Sequence, residues 1–252
     1  MPTKTSNFAA VLINWPDHKA LLRLVINMRF SRKALLVASL ISAHSPEVLA
    51  EIEPYSCRNG AFPSYQDMKL GFVREGSSAR SYFYDDDASC PHQDTCKTSA
   101  YIVPGDEVLV AKTQDGWSCV WYQGVDREFV GWMRSENLGL KLYEESYRLS
   151  DWVGEWRFTG TDTFLKITQV QKDGLKVSGE ASWSNGRGLI NFGSFDEIGT
   201  PSGMNLEVKS GDETYDCKVH LRLVREYLVV YDNKMCGGMN VNFDGVYLKK
   251  AS

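Results

Sequence analysis

Six cysteines carry the most evident chemistry in this chain, and all of them follow residue 50. An even number of cysteines confined to one part of a chain is typical of disulfides formed in an oxidising compartment. Six cysteines allow fifteen pairings, and the sequence alone does not decide among them. Proximity favours Cys90–Cys96 as a loop bridge, domain logic favours Cys217–Cys236, and Cys57–Cys119 is then the remaining pair.

A zinc site is the competing interpretation of the cysteines. They show no CxxC spacing, and only His92 and His220 follow residue 50, so we expect no metal. The acidic run Asp85–Asp87 lacks the alternating ligands and closing Glu of an EF-hand and indicates a solvated turn.

Catalytic signatures are missing from the sequence. It contains no G-x-S-x-G, HExxH, P-loop or G-x-G-x-x-G motif. Two histidines after residue 50 offer little for acid–base catalysis. A carboxylate pair for glycoside cleavage stays open, because any two acids can meet in space. We therefore expect a protein that is not an enzyme and carries no cofactor.

The charge distribution limits the partners. Of the 28 basic and 32 acidic residues, six and two lie before residue 51, which leaves a net charge of −8 for residues 51–252. Nucleic-acid binding needs a basic surface, so we exclude it. An acidic surface suits solubility or attraction to a basic partner.

The first fifty residues read as a targeting segment. Three cations, Arg29, Arg32 and Lys33, precede an apolar run over 34–43, and Val48-Leu49-Ala50 has the small or apolar residues of a cleavage site. This predicts a signal peptide at 28–50, with cleavage near Ala50 and a periplasmic or secreted product. The run is too short for a stable membrane span. Residues 1–27 then indicate an over-extended start, with Met28 as the true first residue.

The remainder predicts an all-β protein. Helical patterning is nearly absent, and only the segment from Asn137 to Arg148 could form a turn or two. Short β-rich runs alternate with tight-turn dipeptides, which favour positive φ angles. These dipeptides are Asp115-Gly116, Asp173-Gly174, Asn185-Gly186, Ser210-Gly211 and Asp244-Gly245. We expect a small barrel over 51–140, a connector over 141–150 and a second antiparallel barrel of about eight strands over 151–252.

Residues 101–138 contain a characteristic series of motifs. In chain order they are Pro104-Gly105-Asp106, the strand Glu107–Ala111, Asp115-Gly116-Trp117, the strand Ser118–Gln123 and Phe129-Val130-Gly131-Trp132-Met133. The series resembles the bacterial SH3-like domain, in which a KKGDKV-type turn, a DGW-like loop and a GWV-type strand recur in this order. Upstream, residues 72–78 are the nearest counterpart of the family's LNVRSGPS-like segment, and an insertion with Cys90 and Cys96 follows them. The resemblance implies binding of peptidoglycan or of a protein partner.

Aromatic side chains on such a small barrel can stack on sugar rings or pack against peptide. The candidate binding residues are Tyr82, Tyr84, Trp117, Trp121 and Trp132. The alternative is that two or three of them fill the core, an interpretation that we favour for Trp117 and Trp132, because so small a barrel needs large side chains there.

The second module opens with Gly154-x-Trp156, which is similar to the first strand of lipocalins and avidin-like barrels. Its closing segment, residues 231–247, is similar to the end of small exported proteins grouped with lysozyme-inhibitor-type families. Cys236 anchors a loop there, and Asn240 and Asn242 are expected on one face of a last strand at 241–248, as candidate binding residues. A stapled hairpin without a binding role is the alternative.

These features together predict an exported, non-enzymatic binding protein of a bacterial cell envelope. Its expected partner is peptidoglycan, or a basic wall-degrading enzyme that it inhibits. The alternative is a lipocalin-like carrier of a small apolar ligand, which would need a hollow second barrel.

Overall fold

The computed structural model describes residues 56–76, 78–87, 89–142, 147–159, 161–170 and 172–250. The predicted signal peptide at 28–50, its cleavage point at Ala50 and residues 1–27 lie outside the described residues. Within the described ranges strands dominate, and helix is confined to the single turn Leu149–Trp152 and to short 3-10 turns at Phe62–Ser64, Asp94–Cys96 and Ser135–Asn137. The all-β prediction is confirmed. No helix of these ranges is long and apolar enough to cross a membrane.

Seven antiparallel strands form the first sheet of the described chain. They are β1 (Lys69–Val73), β2 (Ser81–Tyr84), β3 (Lys97–Ile102), β4 (Glu107–Gln114), β5 (Trp117–Gln123), β6 (Glu128–Arg134) and β7 (Leu138–Leu140). Their hydrogen-bonded order is β3-β2-β6-β5-β4-β1-β7. One face of this sheet encloses a small core that includes Val73, Phe83, Val120 and Met133.

The β4–β5 hairpin shows how the local sequence sets the register. Asp115 and Gly116 have φ angles of 49° and 81°, as a tight two-residue turn requires. The turn pairs Gln114 with Trp117. Because side chains alternate along a strand, Trp117, Cys119 and Trp121 all point to the face opposite the small core.

The predicted helical connector is wrong at its start. Leu138–Leu140 form β7, which pairs with β1. Leu138 is buried in the small core, so pairing and burial outweigh the weak helical pattern. The helical turn comes later, at Leu149–Trp152, where the Asp151 carboxylate accepts a hydrogen bond from the backbone N–H of Arg148 at 2.9 Å.

Eight antiparallel strands form the second sheet, as expected. They are β8 (Gly154–Phe158), β9 (Phe164–Gln169), β10 (Leu175–Ser184), β11 (Ile190–Gly199), β12 (Asn205–Lys209), β13 (Lys218–Val224), β14 (Tyr227–Asp232) and β15 (Gly245–Lys249). The order is β11-β10-β9-β8-β15-β14-β13-β12. Chain neighbours pair throughout, except at β11 and β12, and β15 pairs with β8, so the sheet is a nearly closed up-and-down barrel.

The interior of the barrel is filled by apolar side chains. Every one of its strands contributes to a single buried cluster, and examples are Trp156 of β8, Phe195 of β11 and Tyr247 of β15. The Trp156 indole N–H donates to the Trp152 carbonyl at 2.9 Å, so the one polar atom of that ring is satisfied. A core packed in this way holds the barrel together and occupies the space that a carrier would need for its ligand.

The two sheets share a second core. Trp121 and Trp132 of the first sheet belong to the same buried cluster as Val229 and Val246, which lie on the outside of the barrel. The Trp121 ring meets the Tyr227 ring edge-on at 5.4 Å. The Tyr227 hydroxyl donates a hydrogen bond to Glu107 Oε1 at 2.9 Å, and burial raises the pKa of Tyr227 far above its usual value. Both sheets belong to one compact unit, Ile52–Ser252.

The three disulfides are Cys57–Cys119, Cys90–Cys96 and Cys217–Cys236, so the favoured pairing is confirmed. Cys57–Cys119 ties the segment before β1 to β5. Cys217–Cys236 ties the start of β13 to the loop between β14 and β15. Each bridge therefore fixes a segment that carries little regular structure of its own.

Candidate ligand-binding cleft

A cleft of about 520 Å³ opens where the two sheets meet. One wall is the segment Cys57–Pro63, and the opposite wall is the end of the loop before β15, around Asn242 and Asp244. Trp121 and Glu128, from β5 and β6, lie between the walls. Junctions between packed units are a common place for ligand sites, and this volume suits a small ligand or one residue of a larger one.

The first wall is fixed by Asp86, which lies in the acidic run predicted to be a solvated turn. Its Oδ2 accepts hydrogen bonds from the backbone N–H groups of Cys57 and Arg58 at 2.9 and 2.8 Å, and its Oδ1 accepts from Arg58 Nε at 3.0 Å. Asp85 forms a second ion pair with Arg58. Burial alone would raise the pKa of Asp86, but the two N–H donors and the guanidinium outweigh it and lower that pKa.

The opposite wall is closed by a pair of carboxylates in the β14–β15 loop. Asp232 accepts from the backbone N–H groups of Lys234 and Phe243 at 2.6 and 2.7 Å. Its own N–H donates to Asp244 Oδ1 at 2.9 Å. Lys234 forms an ion pair with Asp244. Because both oxygens of Asp232 are occupied by backbone groups, this carboxylate builds the loop and does not face a ligand, although burial raises its pKa.

Glu128 is the distinctive group of the cleft. Its Oε2 accepts a hydrogen bond from the Trp121 indole N–H at 2.5 Å. Burial raises the pKa of Glu128, and the indole hydrogen bond only partly opposes this rise. Among the described residues it forms no ion pair, in contrast to Asp85, Asp86 and Asp244.

Aromatic rings complete the site. Phe62 lines the first wall and Phe158, from β8, lies beside the second. A Cβ atom on Gly245 would come within 2.9 Å of the Phe158 ring, so the glycine allows this ring to lie directly against the β15 backbone. The cleft thus combines the half-buried Phe158 ring with a carboxyl group that has no ion-pair partner in the part of the chain that the structure describes.

This arrangement favours a cation. The two basic residues of the cleft, Arg58 and Lys234, are each already held by aspartates. An ammonium or guanidinium group in the cleft would neutralise Glu128 and lie beside aromatic rings, which attract cations. Asn242 adds a further polar group to the cleft. Its side-chain oxygen accepts a hydrogen bond from the Asp244 N–H at 3.1 Å.

The predicted binding residues separate into three groups. Trp121 and Asn242 line the cleft. Trp117 and Trp132 are 5% and 0% exposed and lie in the core between the sheets, beneath the segment that carries Cys57 and Phe62. Their rings are therefore covered and offer no stacking surface in this structure. Asn240 is exposed, has a φ of 67° and is absent from the cleft lining.

The last strand begins later than expected. It starts at Gly245, so Asn240 and Asn242 precede it and do not share a strand face. The hydrogen bonds of Asp232 to Lys234 and Phe243 hold the intervening residues as a closed loop, which prevents them from pairing in the sheet.

Tyr82 and Tyr84 lie elsewhere, in a depression of about 510 Å³ on the first sheet. Both are half-buried. Tyr84 packs edge-on against Trp117 at 4.7 Å, and the Lys97 ammonium lies 3.7 Å from the centre of the Tyr82 ring. These tyrosines thus reach the surface, but basic side chains lie against the rings of this depression.

Sequence reasoning missed Glu128, Phe62 and Phe158. Glu128 stands in a polar hairpin next to other charged residues, and no local pattern distinguishes it from a solvated side chain. Phe62-Pro63 starts a 3-10 turn that places the Phe ring over the sheet, and only the Cys57–Cys119 bridge could have suggested that this segment returns to β5.

Comparisons of the chain with protein-family models, with curated proteins and with solved structures found no match. The resemblances to the bacterial SH3-like domain and to lipocalin- or lysozyme-inhibitor-type barrels therefore stay predictions. The structure establishes the coarser class, a disulfide-bonded all-β protein in which a seven-stranded sheet packs on a nearly closed eight-stranded barrel.

Proposed function

We propose that this chain is an exported, non-enzymatic binding protein of a bacterial cell envelope, and that its cleft receives a cationic group of the partner. The observation that carries the proposal is Glu128, a half-buried carboxyl group that lines a cleft with aromatic residues and has no ion-pair partner among the described residues. Leaving such a group unpaired is costly, and a bound cation would recover that cost.

Peptidoglycan is the partner that we favour. Its stem peptides offer free amino groups, and a sugar ring can lie on the half-buried Phe158 ring while Asn242 provides hydrogen bonds. The resemblance of residues 72–138 to the bacterial SH3-like domain supports the same partner. A basic wall-degrading enzyme is the second candidate, because it would present lysine and arginine to the same cleft, and the net charge of −8 over residues 51–252 would speed its approach.

The disulfide bonds, and not the fold, support export of the protein. All six cysteines are paired in disulfides, which persist in oxidising compartments. The predicted signal peptide at 28–50 provides the route. A lipocalin-like carrier receives no support, because the barrel interior is filled by the cluster around Trp156, Phe195 and Tyr247.

A co-sedimentation experiment tests the proposal. The purified protein is mixed with insoluble peptidoglycan in one arm and with immobilised lysozyme in the other. Glu128→Gln removes the charge of the cleft, and Glu180→Gln removes the charge of an exposed glutamate on β10 as a matched control. We expect the protein to be retained on peptidoglycan and Glu128→Gln to weaken this binding by about tenfold. A tenfold loss is at the low end of the effects measured when one charge pair is removed from an interface.

The outcomes separate the candidates. Retention on lysozyme alone, with the same loss in Glu128→Gln, would replace peptidoglycan by a basic enzyme as the partner. Retention on neither would contradict both. An equal effect of Glu180→Gln would show that net charge, and not the cleft, governs binding.

A further inference from the structure

Three basic side chains, Arg80, Lys97 and Arg134, surround Tyr82 and Tyr84 in the depression on the first sheet. We call these five residues the cationic groove. None of them lines the cleft at the sheet junction. We propose that the cationic groove binds the carboxylates of an acidic peptide segment from a protein partner. This site does not depend on the proposed function of the cleft.

Each cation of the groove is held against an aromatic ring. Lys97 Nζ lies 3.7 Å from the centre of the Tyr82 ring, Arg80 Cζ lies 4.3 Å from that of Tyr101, and Arg134 Cζ lies 4.7 Å from that of Trp117. Contacts of this kind restrict long side chains that would otherwise lose more entropy when a ligand binds. The groove is therefore partly organised before any ligand arrives.

The cations of the groove have no acidic ion-pair partners among the residues that the structure describes. Within the described residues, none of the three forms an ion pair at a distance of 4.0 Å or less, and Glu136 is the single carboxylate among the lining residues. Asp85 and Asp86 follow Tyr84 directly in the chain but are bound to Arg58. In a chain with net negative charge, a group of unpaired cations is available for an external anion.

The ring contacts also indicate which anion fits. Lys97 covers the Tyr82 ring and Arg134 covers the Trp117 ring, so the surface presents N–H donors and little free ring face. Guanidinium groups bind carboxylates through paired hydrogen bonds. β3, which carries Lys97, is at the end of the sheet order, where an extended peptide can run alongside a strand. These features favour an acidic peptide over a sugar chain.

Calorimetric titration with an oligoglutamate peptide tests the proposal, with an oligoglutamine peptide of equal length as the neutral counterpart. We expect saturable binding of the acidic peptide only, and its loss at high salt. Arg134→Gln and Lys97→Gln, which lie on different strands, should each weaken binding by roughly fivefold to tenfold, as expected for the loss of one charge-assisted contact. Arg187→Gln, at an exposed hairpin tip of the barrel, is the control and should change nothing.

Two other anions, polygalacturonate and inorganic phosphate, test whether the groove prefers a ligand other than an acidic peptide. Polygalacturonate that binds while oligoglutamate does not would make the ligand an acidic glycan. Inorganic phosphate that displaces the peptide at equal concentration would reduce the groove to a simple anion site. An Arg187→Gln variant as weak as Arg134→Gln, with all variants folded by circular dichroism, would overturn a localised site. Glu128→Gln should leave this binding intact, so failure here and failure of the cleft are distinguishable.

Discussion

Glu128 and Asp86 are two carboxyl groups near the same cleft that have opposite pKa shifts. Asp86 is surrounded by two backbone N–H donors and a guanidinium, and its pKa is lowered. Glu128 receives only the indole N–H of Trp121, and burial raises its pKa. Asp86 therefore stabilises the wall, whereas ionised Glu128 is a destabilising group that a ligand can compensate.

Replacing Glu128 by Gln should stabilise the ligand-free protein at neutral pH. Because the pKa of Glu128 is raised in the folded state, its ionisation costs stability as pH rises above the ordinary glutamate pKa, and the cost is absent in acid. The amide oxygen of Gln can still accept the Trp121 N–H. We expect the melting temperature of Glu128→Gln to exceed that of the wild type by more at about pH 7 than at about pH 4. A constant or reversed difference in calorimetry would contradict the assignment.

Residue identities were predictable where chemistry is local or covalent. Proximity and position favoured the cysteine pairing that the structure shows without deciding it, and the hairpin at Asp115-Gly116 followed from its turn residues. The burial of Trp117 and Trp132 was predicted from the need to fill a small barrel and is confirmed. The residues that cover them were not predictable, because Cys57, Phe62 and the second barrel are distant in the sequence. Alternation shows which face of a strand a side chain occupies, but it does not show what covers that face.

The long β10–β11 hairpin and the disulfide-bound loop after β14 support each other at a point of very close backbone approach. Gly193 of β11 forms an isolated bridge with Gly237, and the N–H of Gly238 donates to the Phe192 carbonyl at 3.0 Å. The loop thereby covers part of the β11 edge, which would otherwise expose unpaired backbone groups.

A side chain at Gly193 should separate the loop from the strand. A Cβ atom there would lie 2.7 Å from the Cys236 carbonyl oxygen and 2.9 Å from the Gly237 Cα. Since the backbone must move, we expect Gly193→Ala to destabilise the protein by roughly 1–3 kcal/mol in urea unfolding. Ser194→Ala, at the exposed neighbouring position, is the control. Equal stability of Gly193→Ala and the wild type would mean that the loop does not pack on β11.

Element types were predictable from alternation and turn residues, and element ends were not. The second sheet has eight strands, and about eight were predicted. The expected last strand began too early, because its first residues are held in a loop by Asp232, and β7 was taken for helix because its pairing with β1 is long-range. Both errors arise where a tertiary contact outweighs a short local pattern.

At the scale of the whole molecule, the two sheets behave as one structure, because the cluster around Trp121, Trp132 and Val229 belongs to both. The cleft exists only while this cluster is intact, since one of its walls comes from each side. Because this shared core is packed without a ligand, the cleft that contains Glu128 is formed before a ligand binds.

Truncation of Val229 should weaken both sheets together. Val229→Ala leaves a space in the shared core, and we expect a loss of roughly 1–3 kcal/mol. Amide hydrogen exchange should show the same loss of protection in β5 and in β13. Val125→Ala, at an exposed loop position, should have no effect. A loss confined to the barrel strands would show that the sheets unfold independently.

The most direct test of the proposed cleft is an NMR titration with a soluble peptidoglycan fragment that carries a free amine. We predict saturable shifts of the backbone amides of Gly60, Val130, Asn242 and Gly245, which line the cleft, and their loss in Glu128→Gln. Binding that shifts amides elsewhere and leaves these four unchanged would contradict the account, as would equal affinity of the wild type and Glu128→Gln.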